Sequence, residues 1–490
     1  MKRLSSLLLI LATITTLAAQ ENTTPKITLN ADTLSSKKES SVKPFRSLGL
    51  GLSSNLAFFS FNHFIMNEDF AQINIHTIKR NLSSKPVWDS DKYFTNMFGH
   101  PYQGSHYFSA ARINGFSYYA SLPFAAVGSL FWEYLMESEP PSTNDLWATS
   151  IGGMPMGEVF FRISDLIYDN RAVGADRFFR EMFAGLITPM YAMNRWITGT
   201  HNHNPRSRGN LLPSIPYTGY FSIATRHLTH RKVDPTHGIS LGVGIEYGDI
   251  FDDEIRTPFE WFEAEMQLDI LYRQIMMSKT NINGVLRTWE LADKNNWQIM
   301  GGFFQPLTYY QSKMPVTQEG EPHPFYISEA AAIGTGLFAG NHKNRFKYRG
   351  SLFANAIMLG ASTSDYIRIK ERDYNYGSGF SIKAYSDFQF AHKFKLKLGF
   401  ENYHLYTWQK YDESIDLNNM TQEEMLNINL QGNKSHANLY HLSMSGEYKL
   451  KENLALLIER NHYIRKTKYK HHPNVRFTSF DDYIKIRFGF

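Results

Sequence analysis

The sequence predicts a mainly β protein, an outer-membrane antiparallel β-barrel of about twelve strands with an N-terminal α-helical domain partly plugging or collaring it. Three observations carry that expectation. The chain opens with the layout of an export signal, its second half alternates apolar and polar residues with a period of two, and the block between them carries helix start and stop signals.

The first element is Met1-Lys2-Arg3, an apolar run over 4–17 and then Ala18-Ala19-Gln20, which reads as a cleavable secretory signal over 1–20. The run falls short of the roughly 20 apolar residues that a spanning helix needs. Residues 21–47 hold Thr, Ser, Asn and Lys with few large apolar groups, too little to offset the entropy of ordering them, and read as a flexible periplasmic leader.

The second element is a helical domain over 48–205. A helix over 122–136 is strongly apolar yet carries Glu133 beside Trp132, and at some fifteen residues it too falls short of spanning a bilayer. Pro140 and Pro141 stop it, and Ser142 followed three residues later by Asp145 starts the next helix with a capping-box pattern. That helix is expected to reach about residue 168 with a kink or break at Pro155. Gly153 and Gly157, four apart, permit another helix to approach closely.

The third element is the barrel, over 210–490. In its last strand Ile484, Ile486, Phe488 and Phe490 share one face, and Tyr483, Lys485, Arg487 and Gly489 share the other. A terminal aromatic on such a strand resembles the signal read by the barrel-insertion machinery. The same rhythm turns Phe262, Ala264, Met266, Leu268 and Ile270 outward and Glu263, Glu265, Gln267 and Asp269 inward. Strands are expected over 217–229, 237–248, 259–276, 281–293, 295–311, 325–338, 345–361, 376–391, 392–407, 437–449, 453–466 and 476–490. The long polar stretches over 315–324, 362–375 and 409–436 read as outer loops, and the short breaks at 341–344, 391–392 and 451–452 as inner turns. A twelve-strand barrel has a backbone radius of roughly 12–13 Å, room for one or two helices from the 122–168 region.

Composition excludes more than it assigns. The formal charge of +5 comes from 51 basic and 46 acidic side chains spread along the chain, so there is no nucleic-acid footprint. The absence of cysteine removes disulfides, thiolate metal sites and a cysteine nucleophile. No phosphate loop, dinucleotide fingerprint, nucleophile elbow or zincin helix occurs, and no cofactor is expected.

Chemistry-bearing candidates cluster in the helical domain. Glu158, Arg162 and Asp165 share one helical face, either as a salt-bridged stripe or with Glu158 as a general base. Glu133 needs a partner such as Arg112 or Arg162 if buried, or else serves as an acid-base group. Asn144 and Asp145 read as helix-capping residues. His100, before Pro101, reads as a loop anchor, a base or a ligand. Asp89 and Asp91 flank Ser90 in a short acidic array that anchors a loop or holds a hard cation; His201 and His203 read as polar linker. Arg465, Lys466, Lys468, Lys470, His471 and His472 form a basic cluster in the last outer loop, either solvated or facing lipopolysaccharide phosphates.

The strings FGHPYQGSHYFSAAR (98–112), SLFWEYLMESEPPSTNDL (129–146) and TSIGGMPMGEVFFRISDLI (149–167) closely resemble a family of bacterial envelope proteins known only as a domain of unknown function. FNHFIMNEDFA (61–71) and VWDSDKYFTNMF (87–98) extend the resemblance over about 48–200. It implies the fold and an envelope location and names no activity.

Two functional expectations follow. One is a non-enzymatic barrel in the outer membrane, its helical domain in the lumen and on the periplasmic side, serving structure, solute passage or partner docking among outer-membrane lipids and lipopolysaccharide. The other is an enzyme acting on lipid or cell-wall material through Glu133, Glu158 and His100. Geometry separates them: convergence on an open cavity favours catalysis, and closure of each group by its own partner favours a scaffold.

Overall fold

The computed structural model describes residues 42–89, 91–230, 233–252, 255–271, 274–312, 325–341, 346–366, 372–391, 393–407, 419–421 and 431–490. The expected export signal, most of the leader and much of the expected outer loops lie outside these. The chain divides into a helical unit, residues up to Val87 with Gly99–Ser214, and a barrel unit, Trp88–Phe98 with Ile215–Phe490.

The helical unit holds α1 (Pro44–Ser60), α2 (Ile75–Ser83), α3 (His100–Arg112), α4 (Leu122–Leu135), α5 (Thr143–Trp147), α6 (Gly153–Ile167), α7 (Gly174–Ile187) and α8 (Pro189–Thr198). Helix begins at Pro44, so the last residues assigned to the leader are ordered. Ser142 caps α5, its hydroxyl accepting the Asp145 amide. The long helix expected over 142–168 is broken into α5, a π-turn at Ala148–Gly152 and α6. The break precedes Pro155, because a proline ring crowds the carbonyl four residues back and offers no N–H to it. At Gly104, Gly153 and Gly157 α3 and α6 nearly touch backbones: a Cβ on Gly104 would stand 1.8 Å from the Thr149 carbonyl oxygen, and one on Gly153 would stand 2.7 Å from the Gly104 carbonyl carbon. The expected close approach at Gly153 and Gly157 is therefore made by α3. A core of Leu50, Ala110, Ile113, Phe161, Tyr168, Met190 and Tyr191 ties α1, α3, α6 and α8 together.

The barrel unit is a closed ring of twelve antiparallel strands in sequence order, with β1 paired to β12. They are β1 (Tyr217–His230), β2 (Val233–Tyr247), β3 (Phe262–Leu271), β4 (Gln274–Lys294), β5 (Trp297–Ser312), β6 (Phe325–Asn341), β7 (Phe346–Thr363), β8 (Tyr374–Phe390), β9 (Phe394–Thr407), β10 (Ser435–Lys451), β11 (Leu454–Tyr469) and β12 (Val475–Gly489). An even, antiparallel, closed ring with an apolar outer face is the architecture of bacterial outer-membrane barrels. That face is present: Ile223, Ile458 and Ile484 are 54, 60 and 57 % exposed, whereas their neighbours Ala224, Leu457 and Tyr483 are buried inward. Closure also satisfies the backbone groups that an open sheet edge would leave bare in lipid.

Two expected boundaries shift. The β3–β4 turn, expected over 277–280, lies between Leu271 and Gln274. Ser278 and Thr280 resemble turn residues in sequence but are fully buried within β4. β3 begins at Phe262 rather than at 259, and ahead of it Ile250, Phe251 and Ile255 pack with Trp261, Phe304, Phe338 and Phe353. Asn295 and Asn296 both take positive φ, which suits the tight β4–β5 hairpin.

The space estimated for helices inside the barrel is occupied by side chains of its own wall. Tyr310 on β5 stacks on Tyr463 of β11 with ring centroids 4.6 Å apart, and those strands stand six steps apart in either direction round the ring. Diametrically opposite walls thus touch. Phe325 on β6 adds a tilted contact to Tyr463 and an edge contact to Phe477 on β12. Nearer the end that holds both barrel termini, Arg349 on β7 reaches Glu246 on β2, and Glu263 on β3 at 2.7 Å. Between these levels Arg226 is wholly buried between Asp269 (2.6 Å) and Asp481 (2.7 Å), and Lys383 pairs with Glu329. A twelve-strand ring lined by Arg, Tyr, Lys and Phe fills itself.

Residues 88–98, expected within the helical domain, belong to the barrel unit and lie on its outer wall. Tyr93 stacks on Tyr309 (5.1 Å) and Tyr326 (4.2 Å), and its hydroxyl donates to the Tyr310 carbonyl at 3.2 Å. Tyr309 and Tyr326 are the alternation neighbours of the inward Tyr310, Phe325 and Ile327, so their rings point away from the lumen. Asn96 donates to the hydroxyls of Tyr374, at 2.7 Å, and Tyr376. This explains why β5 and β6 are buried on both faces over Leu307–Tyr310 and Phe325–Ala332.

Candidate functional site

The candidates of the helical unit are buried, and each is held by partners of its own. Glu158 sits on α6, one turn before Arg162. Its Oε2 accepts from Arg112 Nε at 2.5 Å, and its Oε1 accepts from Arg112 Nη2 at 3.0 Å and Arg162 Nε at 2.8 Å. Burial works to raise its pKa, but the two guanidinium groups outweigh that and hold it below the usual carboxylate range. Three of the carboxylate's four acceptor positions are thereby taken by guanidinium N–H groups, which disfavours its accepting a substrate proton. Arg112 in turn lies over the Phe161 ring and donates to the Phe116 carbonyl.

Glu133, near the end of α4, accepts the Ser142 amide through Oε2 at 2.8 Å. It thereby pins the turn after Pro140 and Pro141 to α4. The guanidinium groups of Arg112 and Arg162, the partners suggested for it by sequence, hold Glu158 instead. His100 opens α3 and pairs through Nε2 with Asp145 Oδ1 at 3.2 Å. Asn144 accepts the Ser142 hydroxyl and donates to Asp145 Oδ1, both at 2.7 Å. Ser142, Asn144, Asp145 and His100 therefore form one chain of contacts around the N-terminus of α5.

Asp165 lies apart from Glu158 in function though on the same helix. It accepts the Tyr191 hydroxyl at 2.6 Å and the amides of Leu211 and Leu212 at 2.8 and 3.0 Å. Burial raises its pKa against the lowering pull of those three donors. Its task is to clasp the segment leading toward the barrel. Asp89 accepts from Asn96 at 2.7 Å and from the Tyr376 hydroxyl at 3.2 Å, and the Asp91 carbonyl accepts from Tyr374 at 3.0 Å. These two acids fasten residues 88–98 to the wall; Ser90 between them lies outside the described residues.

The basic cluster splits by strand alternation. Arg465 points into the lumen and forms a two-pronged pair with Asp365 at 2.5 and 2.6 Å, whereas Lys466 and Lys468 are exposed.

Sequence reasoning missed the lumen. A small cavity there is lined by Lys279, Asn281, Thr308, Glu401, Tyr403 and His441 among others. His441 contacts Glu401 through Nδ1 at 3.3 Å and Asn461 through Nε2 at 2.9 Å, and Glu401 also accepts from Tyr385 (2.9 Å) and Tyr403. The signal was present in the inward positions of each strand, but partners lie on strands far apart in sequence. Also missed was His106, buried on α3 against Ser54 Oγ at 3.3 Å. Burial pushes its pKa down to about 4.

Among solved structures the chain is similar to a KdgM porin, at 10 % identity over 55 % of this chain and 99 % of that one, with a TM-score of 0.22. It is similar to an anion-selective porin from Comamonas acidovorans at 9 % identity over 56 and 99 %, TM-score 0.22. An outer membrane channel from Pseudomonas putida F1 gives 7 % over 57 and 97 %, TM-score 0.28. No curated protein matches the chain in sequence. Residues 85–190 match the model of a domain of unknown function (DUF3943), a stretch that contains His100, Arg112, Glu133, Asn144, Asp145, Glu158, Arg162 and Asp165.

Proposed function

We propose that this protein is a non-conducting, non-enzymatic barrel of the outer membrane that anchors its helical unit there as a structural element. On this reading the last strand engages the barrel-insertion machinery, and lipopolysaccharide is the outer-leaflet partner. The observation that carries it is the stack of Tyr310 on Tyr463 across the full width of the ring. A porin needs a wetted bore, and these walls meet instead. The enzyme alternative required Glu133, Glu158 and His100 to converge on an open cavity; each is occupied by a different partner.

The test is planar-bilayer conductance of the purified protein. Wild type is expected to give no unitary steps, and Tyr310→Ala with Tyr463→Ala is expected to give intermittent ones, because the deletion removes the contact between opposite walls. Porin-sized steps from the wild type would overturn the reading.

A further inference from the structure

Strand alternation puts a group of cations together on the outer wall. Lys466 on β11 stands directly across from Arg476 on β12, and Lys468 stands across from His436 on β10. Lys466, Lys468 and Arg476 are exposed, and among the described residues no carboxylate pairs with any of the three. Like charges opposed across a strand pair, with Cβ atoms about 5 Å apart, repel. The wall nevertheless keeps them together. Lower on the same strands, Arg460 is answered by Asp482 at 3.4 Å, so the imbalance is confined to one height.

That height has a meaning. Leu454 lies opposite Phe488 at the end of the barrel that holds both termini. Lys466 is twelve residues further along β11, which at ordinary strand rise and tilt is about 30 Å up the barrel axis. The apolar band of such barrels is about 25 Å tall. Between the two levels the outward residues are Leu456, Ile458, Arg460, His462 and Ile464 on β11, with Leu442 and Met444 alongside on β10, so the apolar lower wall gives way to the mutually paired Arg460 and Asp482 part of the way up. Tyr440 lies at the upper limit of that band, and the Lys466 ammonium sits 5.5 Å over its ring. The cations thus stand above the apolar lower wall, at the end of the barrel away from its termini, where a lipid headgroup can reach them.

We infer that Lys466, Lys468 and Arg476 form a binding site for the phosphate groups of an outer-leaflet glycolipid, the phosphorylated sugar headgroup lying over β10–β12 and its acyl chains along the apolar wall below. The inference rests on the outer-membrane reading above and supplies its lipid contact. Two cations flanking one phosphate turn a repulsive pair into a chelate, and Tyr440 offers an aromatic edge at the interface.

The test uses the full chain in phosphatidylcholine nanodiscs doped with bisphosphorylated lipid A, dephosphorylated lipid A or phosphatidylglycerol, with native mass spectrometry counting retained lipid. Wild type is expected to retain bisphosphorylated lipid A over the other two, and Lys466→Gln with Arg476→Gln to lower that retention about tenfold or more. Equal retention by wild type and variant overturns the site. So does equal retention of the dephosphorylated lipid, or full displacement by millimolar inorganic phosphate, which would mark a free-anion site. Heat-modifiable migration is read on both proteins: its absence counts against the barrel's place in the membrane, whereas its presence with equal lipid retention counts against the phosphate site alone.

Discussion

Glu158 shows how little a single residue's identity decides without its neighbours. A carboxylate in an apolar helix reads equally as a base or as a bridge, and only the arrival of Arg112 from α3 decides for the bridge. Glu158→Ala is expected to destabilise the helical unit by about 3–5 kcal/mol, since it leaves two buried guanidinium groups without their anion. Limited proteolysis in rising urea measures this, and a loss under 1 kcal/mol would remove the bridge from the account. His106 makes a pH prediction. Its folded pKa of about 4 lies below the ordinary 6.5, so the folded state keeps it neutral and the unfolded state protonates first as pH falls. The stability it contributes is full above about pH 6.5 and declines by up to about 3 kcal/mol toward pH 4. Glu158, also depressed, loses its share at still lower pH. In His106→Gln the decline between pH 6.5 and 4 should flatten; an unchanged acid profile would assign the sensitivity elsewhere.

At the scale of elements, legibility followed periodicity. Every barrel strand was visible because one face must be apolar and the other polar, and errors fell where the buried Ser278 and Thr280 imitate a turn. Helix α4 and the cap at Ser142 were equally plain. What the one-dimensional pattern could not supply was which helix meets Gly153 and Gly157, because the partner glycine, Gly104, sits some fifty residues earlier. Gly104→Val is expected to cost about 3 kcal/mol or more, since the backbone of the Ala148–Gly152 turn cannot retreat from a side chain placed against the Thr149 carbonyl. A melting temperature within 1 °C of wild type would show that α3 and α6 are less tightly joined than their geometry indicates.

At the scale of the whole molecule, strand number alone was a poor guide to what fills the ring. The radius of twelve strands leaves room for helices only if the inward side chains are short, and here they include Arg226, Arg349, Tyr310, Lys383 and Tyr463. The inward letters were readable strand by strand, but the pairing of Tyr310 with Tyr463, or Arg349 with Glu263, depends on closure, which no local window contains. The same holds for the candidate site. The candidate residues are buried and polar, and their partners, and hence their chemistry, come from contacts 46 residues away for Arg112 and Glu158 and 283 for Tyr374 and Asp91.

The placement of Trp88–Phe98 against Tyr309, Tyr326, Tyr374 and Tyr376 sets an order of assembly. Those four tyrosines belong to strands made more than two hundred residues after the segment that covers them. A chain exported from its N-terminus must therefore carry these residues unfinished until the middle of the ring exists. The flank formed by β5, β6 and β8 can be sealed only as the last act, by a piece of chain that crossed first.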